Sequence, residues 1–296
     1  MDSRLNAFLE RADAVLARLE PLLPAPRETV DWSKSLAARW VKEGRSGYLM
    51  PLEVSLDMRL SDLIGVDLQR EQLGRNTRQF IDGLPANHAL LWGSRGTGKS
   101  SLIRALLAEY AQAGLRLIEI ERDHLGDLPR VVELLHKLPQ RFVLFCDDLS
   151  FEAGESDYRV LKSVLDGSLE QAPDNVLLYA TSNRRHLVPE KESDNANWKH
   201  IDGELHPSEA VEDKIALSDR FGLWLSFYPF TQEHFLNVVE HWITQLALTA
   251  GLVWQRDDEL DKLAIRWATG RGNRNGRCAY QFARYWVGLK LLEQQP

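Results

Sequence analysis

Short apolar runs alternate with amphipathic segments through the middle of the chain. Five of these runs have the length of buried strands, and they cover residues 89–92, 115–120, 142–146, 176–181 and 223–227. The segments between them repeat their apolar residues at helical spacing. Near-continuous apolar strands separated by helices are typical of a parallel sheet that is covered on both faces. We therefore predict an α/β fold built on such a sheet.

The pattern changes at Thr231, after which the chain is predicted to be helical to its end. Apolar residues recur at helical spacing in three stretches, which begin at Phe235, Leu260 and Phe282. This pattern predicts a small all-helical lid domain over residues 231–296. It follows an α/β domain that is predicted over residues 60–230.

The first 59 residues are predicted to form a helical accessory region. Apolar residues recur at helical spacing from Leu5 to Leu19, and a proline-rich stretch ends that helix. A second amphipathic stretch, from Trp32 to Lys42, is also predicted to be helical, and Gly44 ends it. Aromatic helices of this kind belong to a core or a docking surface more often than to a cofactor site.

Residues 191–212 form a polar insertion without periodicity. A long irregular segment within a compact domain is usually functional or disordered. A mobile loop is our first interpretation, and a tolerated insertion without a function is the alternative.

Composition narrows the class of protein. The chain has 296 residues, of which 44% are hydrophobic and 27% charged, as in an ordinary globular protein. No apolar run approaches the roughly 20 residues of a membrane span, and the first residues lack the apolar core of a signal peptide. Only two cysteines are present, and Cys146 lies in a predicted strand, which favours a reducing cytoplasm. The net charge of −7 gives no overall attraction to nucleic acid.

A complete phosphate-binding pattern, G-x-x-x-x-G-K-[ST], lies between the first predicted strand of the sheet and the helix after it. Its glycines let backbone N–H groups turn towards a phosphate, and the start of the helix adds a favourable dipole. Lys99 is expected to reach the terminal phosphates and Ser100 to bind Mg²⁺. The residues assigned to nucleotide binding here are Gly93, Ser94, Arg95, Gly96, Thr97, Gly98, Lys99, Ser100 and Ser101.

Two adjacent carboxylates follow the apolar strand at 142–146. Asp147 can hold Mg²⁺, and Asp148 can orient or deprotonate an attacking water. Acids at this position could instead cap the loop or helix that follows. The complete phosphate loop earlier in the chain favours the metal and water roles.

Asn183 follows the next apolar strand. A polar side chain here is predicted to lie beside the γ-phosphate, between the phosphate loop and the two acids. An asparagine side chain both donates and accepts hydrogen bonds, so Asn183 could hold the attacking water. The alternative is an asparagine in a turn, which is common after a strand.

In their order along the chain, these motifs resemble those of AAA+ ATPases. The resemblance covers about residues 60–296 and includes the Walker A motif, the Walker B motif with its two acids, and Asn183 as the first sensor. The segment before the first strand resembles the one that wraps the adenine of ATP. The residues that the resemblance assigns to adenine are Leu63, Ile64 and Gly65.

Two arginines extend the resemblance. Arg220 lies in a segment similar to the one that carries an arginine finger, which implies that it completes the ATP site of a neighbouring subunit in a homo-oligomer. Arg277 resembles the second sensor, which clamps the phosphates from the lid, and Arg274 is the alternate.

Three runs, CDDLSFE, ATSNRRHL and LSDRFGLW, resemble more closely an uncharacterised bacterial AAA+ family known only as domain of unknown function 815. That resemblance supplies no substrate. The usual Asp-Glu pair of the Walker B motif is Asp147-Asp148 here, and the shorter second side chain predicts slow hydrolysis. No pore-loop signature is evident, so polypeptide threading is not expected.

The remaining polar clusters are less specific. Arg184, Arg185 and Lys199 could form a basic patch for nucleic acid, and solvated loop charge is the alternative that base rates favour. His186 and His206 have no partners at ligand spacing, so Mg²⁺ is the only metal assigned.

Taken together, the sequence favours a cytoplasmic molecular switch or remodelling ATPase that uses ATP and Mg²⁺. It is expected to act as a homo-oligomer on an unidentified protein partner, away from membranes. One alternative is an ATP-gated nucleic-acid loader. The Asp-Asp pair and the Arg184-Arg185 dipeptide motivate it, and the acidic charge and the absence of a helix-turn-helix pattern disfavour it. A small-molecule kinase on a phosphate-loop fold is the second alternative, and the asparagine sensor and the separate helical domain disfavour it.

Overall fold

The computed structural model of the chain describes residues 5–6, 8–11, 13, 29–44, 46–150, 157–166, 173–183, 199–201, 204–206 and 219–294. The chain divides into two units, Met1–Asp31 and Trp32–Pro296. In the first unit, the described residues between 5 and 13 are helical, as the apolar spacing predicts, and the side chains of Leu5 and Phe8 are exposed.

A seven-stranded sheet runs through the second unit. The strands, in chain order, are β1 (Ala37–Glu43), β2 (Ser46–Leu52), β3 (Ala89–Gly93), β4 (Leu115–Glu119), β5 (Arg141–Cys146), β6 (Val176–Ser182), the separate pair β7 (Lys199–Ile201) and β8 (Glu204–His206), and β9 (Leu223–Phe227). The sheet has the order β2-β1-β4-β5-β6-β3-β9, and only the β1–β2 pair in it is antiparallel. The predicted parallel sheet is therefore confirmed, and the five predicted strands lie side by side in it.

Helices connect the strands and follow them. They are α1 (Asp67–Ile81), α2 (Lys99–Tyr110), α3 (Leu128–Leu135), α4 (Asp157–Asp166), α5 (Gln232–Ala250), α6 (Asp258–Gly270) and α7 (Gly276–Glu293), with short 3₁₀ helices at Leu60–Asp62, Ala111–Ala113 and Arg122–Asp127. Within the described ranges, no helix combines the length and the apolar character needed to cross a membrane.

Both faces of the sheet are buried. Val143 and Phe145 of β5 belong to a core that also contains apolar residues of α1 and α2. Because side chains alternate along a strand, Phe142 and Leu144 point to the opposite face. They are at most 1% exposed, and the ring of Trp32 packs edge-on against Phe142 with 5.0 Å between centroids. Helices and connecting segments therefore cover the sheet on both sides, as predicted.

The three helices after β9 enclose a second apolar core. Each begins with a side chain that accepts a hydrogen bond from the backbone N–H three residues later, and these capping residues are Thr231, Asp257 and Asn275. The helices predicted beyond residue 231 are thus present. The division into domains at residue 230 stays a prediction.

The stretch from Trp32 to Lys42 is not a helix, and that prediction was wrong. Ala37–Glu43 is a strand, β1, which pairs with β2 and with β4, so this hairpin is part of the sheet and not of a helical accessory region. The apolar spacing misled because Leu36 and Trp40 are four residues apart. That spacing fits one helical turn, and, being even, it also fits one face of a strand.

The polar insertion at 191–212 contains the short antiparallel pair β7 and β8. The expectation of wholly irregular chain is wrong for these six residues. The rest of the insertion, together with Arg184, Arg185 and His186, lies outside the described residues.

His88 precedes β3 and contacts the strands on both sides of it. Its Nδ1 accepts a hydrogen bond from the backbone N–H of Leu178 at 3.0 Å, and its backbone oxygen accepts one from Leu223 N at 3.2 Å. Burial lowers the pKa of His88 to about 4 from its ordinary value of 6.5. The folded state therefore keeps this imidazole neutral where the unfolded state protonates it.

We expect the protein to lose stability below pH 6.5, because the unfolded chain then binds a proton that the folded chain resists. The loss should grow as the pH falls towards 4 and reach up to about 3 kcal/mol from this histidine. Urea unfolding at pH 7.5 and pH 5 measures it. His88→Gln should show a smaller decrease between the two pH values than the parent. His136→Gln, at an exposed histidine, is the control, and an equal decrease in all three proteins would contradict the assignment to His88.

Candidate nucleotide-binding site

The predicted site residues follow three neighbouring strands. The phosphate loop follows β3, Asp147 and Asp148 follow β5, and Asn183 follows β6, which lies between the other two. Parallel strands end at the same edge of a sheet, and the pairing of Trp92 with Ser182 shows that β3 and β6 end level. The sheet thus brings together the phosphate loop, the two acids and Asn183, as the sequence predicts.

The phosphate loop binds its own lysine. Lys99 Nζ donates hydrogen bonds to the backbone oxygens of Gly93 and Ser94, both at 2.8 Å, and lies 3.3 Å from Asn183 Oδ1. The side chain is 7% exposed, and this burial lowers the pKa of Lys99 to about 8, although Asp147 and Asp148 act to raise it. A buried cation that is bound mainly to neutral oxygens is a good partner for an anion.

Oxygen ligands suited to Mg²⁺ meet where the loop becomes helix α2. Ser100 Oγ donates a hydrogen bond to Asp147 Oδ1 at 2.7 Å. A hydroxyl and a carboxylate are hard oxygen ligands of the kind that Mg²⁺ takes, usually with waters and substrate phosphates. The residues present therefore fit the metal that the sequence predicts. Among the described residues, no group of three or more His, Cys, Asp and Glu side chains could hold a metal ion on its own.

Asp148 has a left-handed backbone, with φ of 55°, and it is the only described residue other than glycine with positive φ. This conformation is uncommon for side chains with a Cβ and is easiest for Asn and Asp. It brings the carboxylate to a hydrogen bond with Asn183 Nδ2 and to 3.5 Å from Arg95 Nη2. The second acid is therefore next to both Asn183, the predicted first sensor, and the phosphate loop.

The segment assigned to adenine lies between the sheet and the lid helices. Leu63 belongs to the core of the sheet, whereas Ile64 packs against the core of the lid helices. His234 Nε2 lies 2.8 Å from the backbone oxygen of Ile64. Gly65, at φ of 74°, leaves room for that imidazole, because a Cβ there would approach His234 Nε2 to 2.0 Å.

The first turn of α7 contacts the phosphate loop. Asn275 Nδ2 donates a hydrogen bond to the backbone oxygen of Arg95 at 3.0 Å, and Arg277 N lies 3.3 Å from the backbone oxygen of Gly96. Gly96 has φ of 75°, and a Cβ on it would come within 2.7 Å of the Asn275 side chain. Arg277, the predicted second sensor, is thus attached to the loop through its backbone, and its side chain is exposed like that of Arg274.

Arg220 lies at the other end of the strands. It precedes β9, whose first residue pairs with Ala89 at the start of β3, whereas the phosphate loop follows the end of β3. A five-residue strand separates the two ends, which is about 16 Å at about 3.3 Å per residue. Arg220 is half-buried, and it is the one predicted catalytic residue that the sheet does not bring to the site.

Sequence reasoning missed three residues that shape the site. Asn275 precedes a glycine and a helical stripe, which is a recognisable start signal for a helix and could have identified it. His234 is one polar position on an amphipathic helix, and nothing in the sequence links it to Ile64. Thr181 lies inside an apolar strand, yet its hydroxyl contacts both acids.

A family model described as "Protein of unknown function (DUF815)" matches residues 33–290 of the chain. No curated protein sequence matches it. Among solved structures, the chain is similar to the RuvB Holliday junction branch migration motor of Thermotoga maritima, with 16% identity and a TM-score of 0.50 over 77% of this chain and 63% of that one.

Two further solved structures are similar. One is the Aeropyrum pernix ORC1 protein in complex with DNA, with 15% identity and a TM-score of 0.53 over 80% of this chain and 65% of that one. The other is domain III of the Thermotoga maritima replication initiation protein DnaA, with 12% identity and a TM-score of 0.51 over 83% of this chain and 94% of that one. The chain spans less than two thirds of the RuvB and ORC1 chains. At these identities the similarity concerns the fold.

Replacing Asn275 with alanine should detach the start of α7 from the phosphate loop. The loss of the helix cap should cost about 1 kcal/mol of unfolding free energy, and the amides of residues 93–98 should exchange faster with deuterium. Asp257→Ala is the matched control, because Asp257 caps α6 in the same way through the N–H of Leu260 at 2.7 Å. Faster exchange of the loop in both variants, or in neither, would contradict the contact.

Proposed function

The chain belongs to the DUF815 family and has the fold of AAA+ ATPases, and we propose that it is a Mg-ATP-dependent molecular switch or remodelling ATPase. The proposal rests on one observation above all. A buried lysine, two hydroxyls, two carboxylates and an amide, with the backbone N–H of Asp148, are connected by hydrogen bonds at the edge of the sheet where β3, β5 and β6 end.

Each of these groups matches a need of phosphoryl transfer. Lys99, bound to neutral backbone oxygens, is available to the β- and γ-phosphates. Ser100 and Asp147 would hold Mg²⁺, which, when bound, neutralises charge on the phosphate oxygens. Asp148 would accept a proton or a hydrogen bond from the attacking water, and Asn183, already bound to that carboxylate, would orient the same water.

The lid contacts support a switch. Helix α5 contacts the adenine segment through His234, and α7 contacts the phosphate loop through Asn275. A nucleotide bound between these elements would touch the sheet and the lid at once. Its binding and loss can therefore change how the lid helices sit on the sheet, which is what a nucleotide-dependent switch requires.

A second copy of the chain is the partner that the position of Arg220 supports. Arg220 precedes the end of β9 that pairs with the start of β3, whereas its own phosphate loop follows the other end of β3, so the residue is poorly positioned to act on a nucleotide bound there. It precedes β9, which is one of the two outer strands of the described sheet. An arginine from one subunit would then stabilise charge on the γ-phosphate bound by the next.

A nucleic-acid loader is the alternative function. The Asp147-Asp148 pair motivates it, and the net charge of −7 opposes it. Binding to single- and double-stranded DNA, measured at several salt concentrations with and without ATP, separates the two functions. ATP-dependent binding that weakens steeply with salt would favour the loader.

Asp148→Asn should retain ATP binding and lose most of the hydrolysis, because an amide cannot accept the proton of water. Asparagine also tolerates the left-handed backbone of this position, so the fold should be kept. Lys99→Ala is the contrasting variant and should lose ATP affinity itself. Calorimetric titration and single-turnover rates distinguish the two. Unchanged affinity in Lys99→Ala would overturn the phosphate-loop assignment, and unchanged turnover in Asp148→Asn would assign the base elsewhere.

Arg220→Ala should bind ATP normally and hydrolyse it slowly, since arginine fingers contribute up to about 10³–10⁵ in rate. Turnover per subunit of the parent should rise with protein concentration. Mixing Arg220→Ala with Lys99→Ala should restore part of the activity, because each subunit supplies the group that the other lacks. Mixed assemblies without any recovery, or a monomer with concentration-independent turnover, would refute a shared site.

A further inference from the structure

Thr181 is a buried hydroxyl between the two acids. It lies near the end of β6, next to the end of β5, and it is 2% exposed. Its Oγ1 donates a hydrogen bond to Asp147 Oδ1 at 2.5 Å and accepts one from the backbone N–H of Asp148 at 2.9 Å. One side-chain atom is therefore bound to the carboxylate of the first acid and to the backbone of the second.

The backbone of Thr181 continues the same contact. Its carbonyl oxygen accepts a hydrogen bond from Leu149 N at 2.6 Å. Thr181 thus accepts hydrogen bonds from the backbone N–H groups of Asp148 and Leu149. These bonds lie at the point where Asp148 takes its left-handed conformation. A left-handed backbone costs free energy for a residue with a Cβ, and these two hydrogen bonds stabilise it.

We propose that Thr181 is the positioning residue of this site. Its hydroxyl orients the Asp147 carboxylate, which would bind Mg²⁺, and holds the turn that positions Asp148, which would act on the attacking water. This inference rests on the proposed function. Ser100 donates to the same oxygen of Asp147, but it lies on the half-exposed start of α2 and is itself assigned to the metal. Thr181, in contrast, lies within a strand of the sheet, so its hydrogen bond to Asp147 starts from a fixed position.

A hydroxyl is required because it donates one hydrogen bond and accepts another at the same atom. Valine has nearly the same shape and can do neither, and burial prevents water from replacing the lost bonds. Residues that orient a metal ligand through a hydrogen bond typically change metal affinity or activity by about 10- to 100-fold when they are removed. Serine keeps the hydroxyl and should keep most of the function.

The test compares Thr181→Val, Thr181→Ser and Thr77→Val in the full chain. Thr77 is the matched control, because its buried Oγ1 also makes two hydrogen bonds, to Leu73 O and to the hydroxyl of Tyr179, away from the acids. One readout is the affinity for a non-hydrolysable ATP analogue, measured by calorimetry with Mg²⁺ and with EDTA. The other readout is steady-state ATP hydrolysis, from which kcat and KM for ATP are determined separately.

In Thr181→Val, we expect the affinity in EDTA to stay within about two-fold of the parent, because Lys99 is untouched. The gain in affinity from Mg²⁺ and the kcat should each fall by about 10- to 100-fold. Thr181→Ser should restore both, and Thr77→Val should change neither. If Thr181→Val does not give folded protein, Thr181→Cys, in which a weak S–H replaces the hydroxyl, takes its place.

Three results would overturn the inference: a parent-like Mg²⁺ effect and kcat in Thr181→Val, equal losses in Thr77→Val, or no recovery in Thr181→Ser. Failure of the proposed function has a different signature. A parent chain that binds the analogue with a Mg²⁺ effect but does not hydrolyse ATP would refute the ATPase, while the affinity readout still decides the role of Thr181. A parent chain without Mg²⁺-dependent binding would overturn both.

Discussion

Parallel hydrogen bonding among β5, β6 and β3 brings three strand ends to one edge of the sheet, and the candidate site depends on it. The sheet places Lys99, Asp147 and Asn183, which are far apart in sequence, close enough for hydrogen bonds such as the one between Lys99 and Asn183. Because most of the residues along these three strands are buried, a strand that slid would expose core side chains. The fixed strand positions therefore also fix the distances between side chains at the site, such as that between Ser100 and Asp147.

The lid completes the site in a different way. The hydrogen bonds that connect it to the phosphate loop and to the adenine segment come from the starts of two helices. The apolar core of the lid helices is mostly separate from that of the sheet, and Ile64 is a residue outside the lid that packs against it. The sheet half of the site is thus held by extensive burial, and the lid half by hydrogen bonds and the packing of Ile64, which should need less free energy to rearrange.

Much of this could be predicted from the sequence. The strands β3, β4, β5, β6 and β9 are apolar runs bounded by polar residues, and the phosphate loop is a local motif whose context is also local. What failed was the strand β1 at Ala37–Glu43, because its apolar spacing fits both a helix and a strand and its partner β4 is far away in the chain. His234 and Thr181 were missed for a related reason. Their roles depend on which residues face them, and no single-sequence pattern records that.

The pairing of β3 with β9 has a consequence for how the protein is made. Ala89 pairs with Leu223, and the N–H of Ser94 in the phosphate loop donates to the backbone oxygen of Phe227 at 3.0 Å. Domains tend to fold from their N-terminal end as the ribosome extends the chain. In this chain the phosphate loop leaves the ribosome long before β9, the strand that pairs with β3 and binds the N–H of Ser94. A ribosome-bound chain that stops short of β9 therefore carries the complete phosphate-loop sequence with one side of its strand still unpaired.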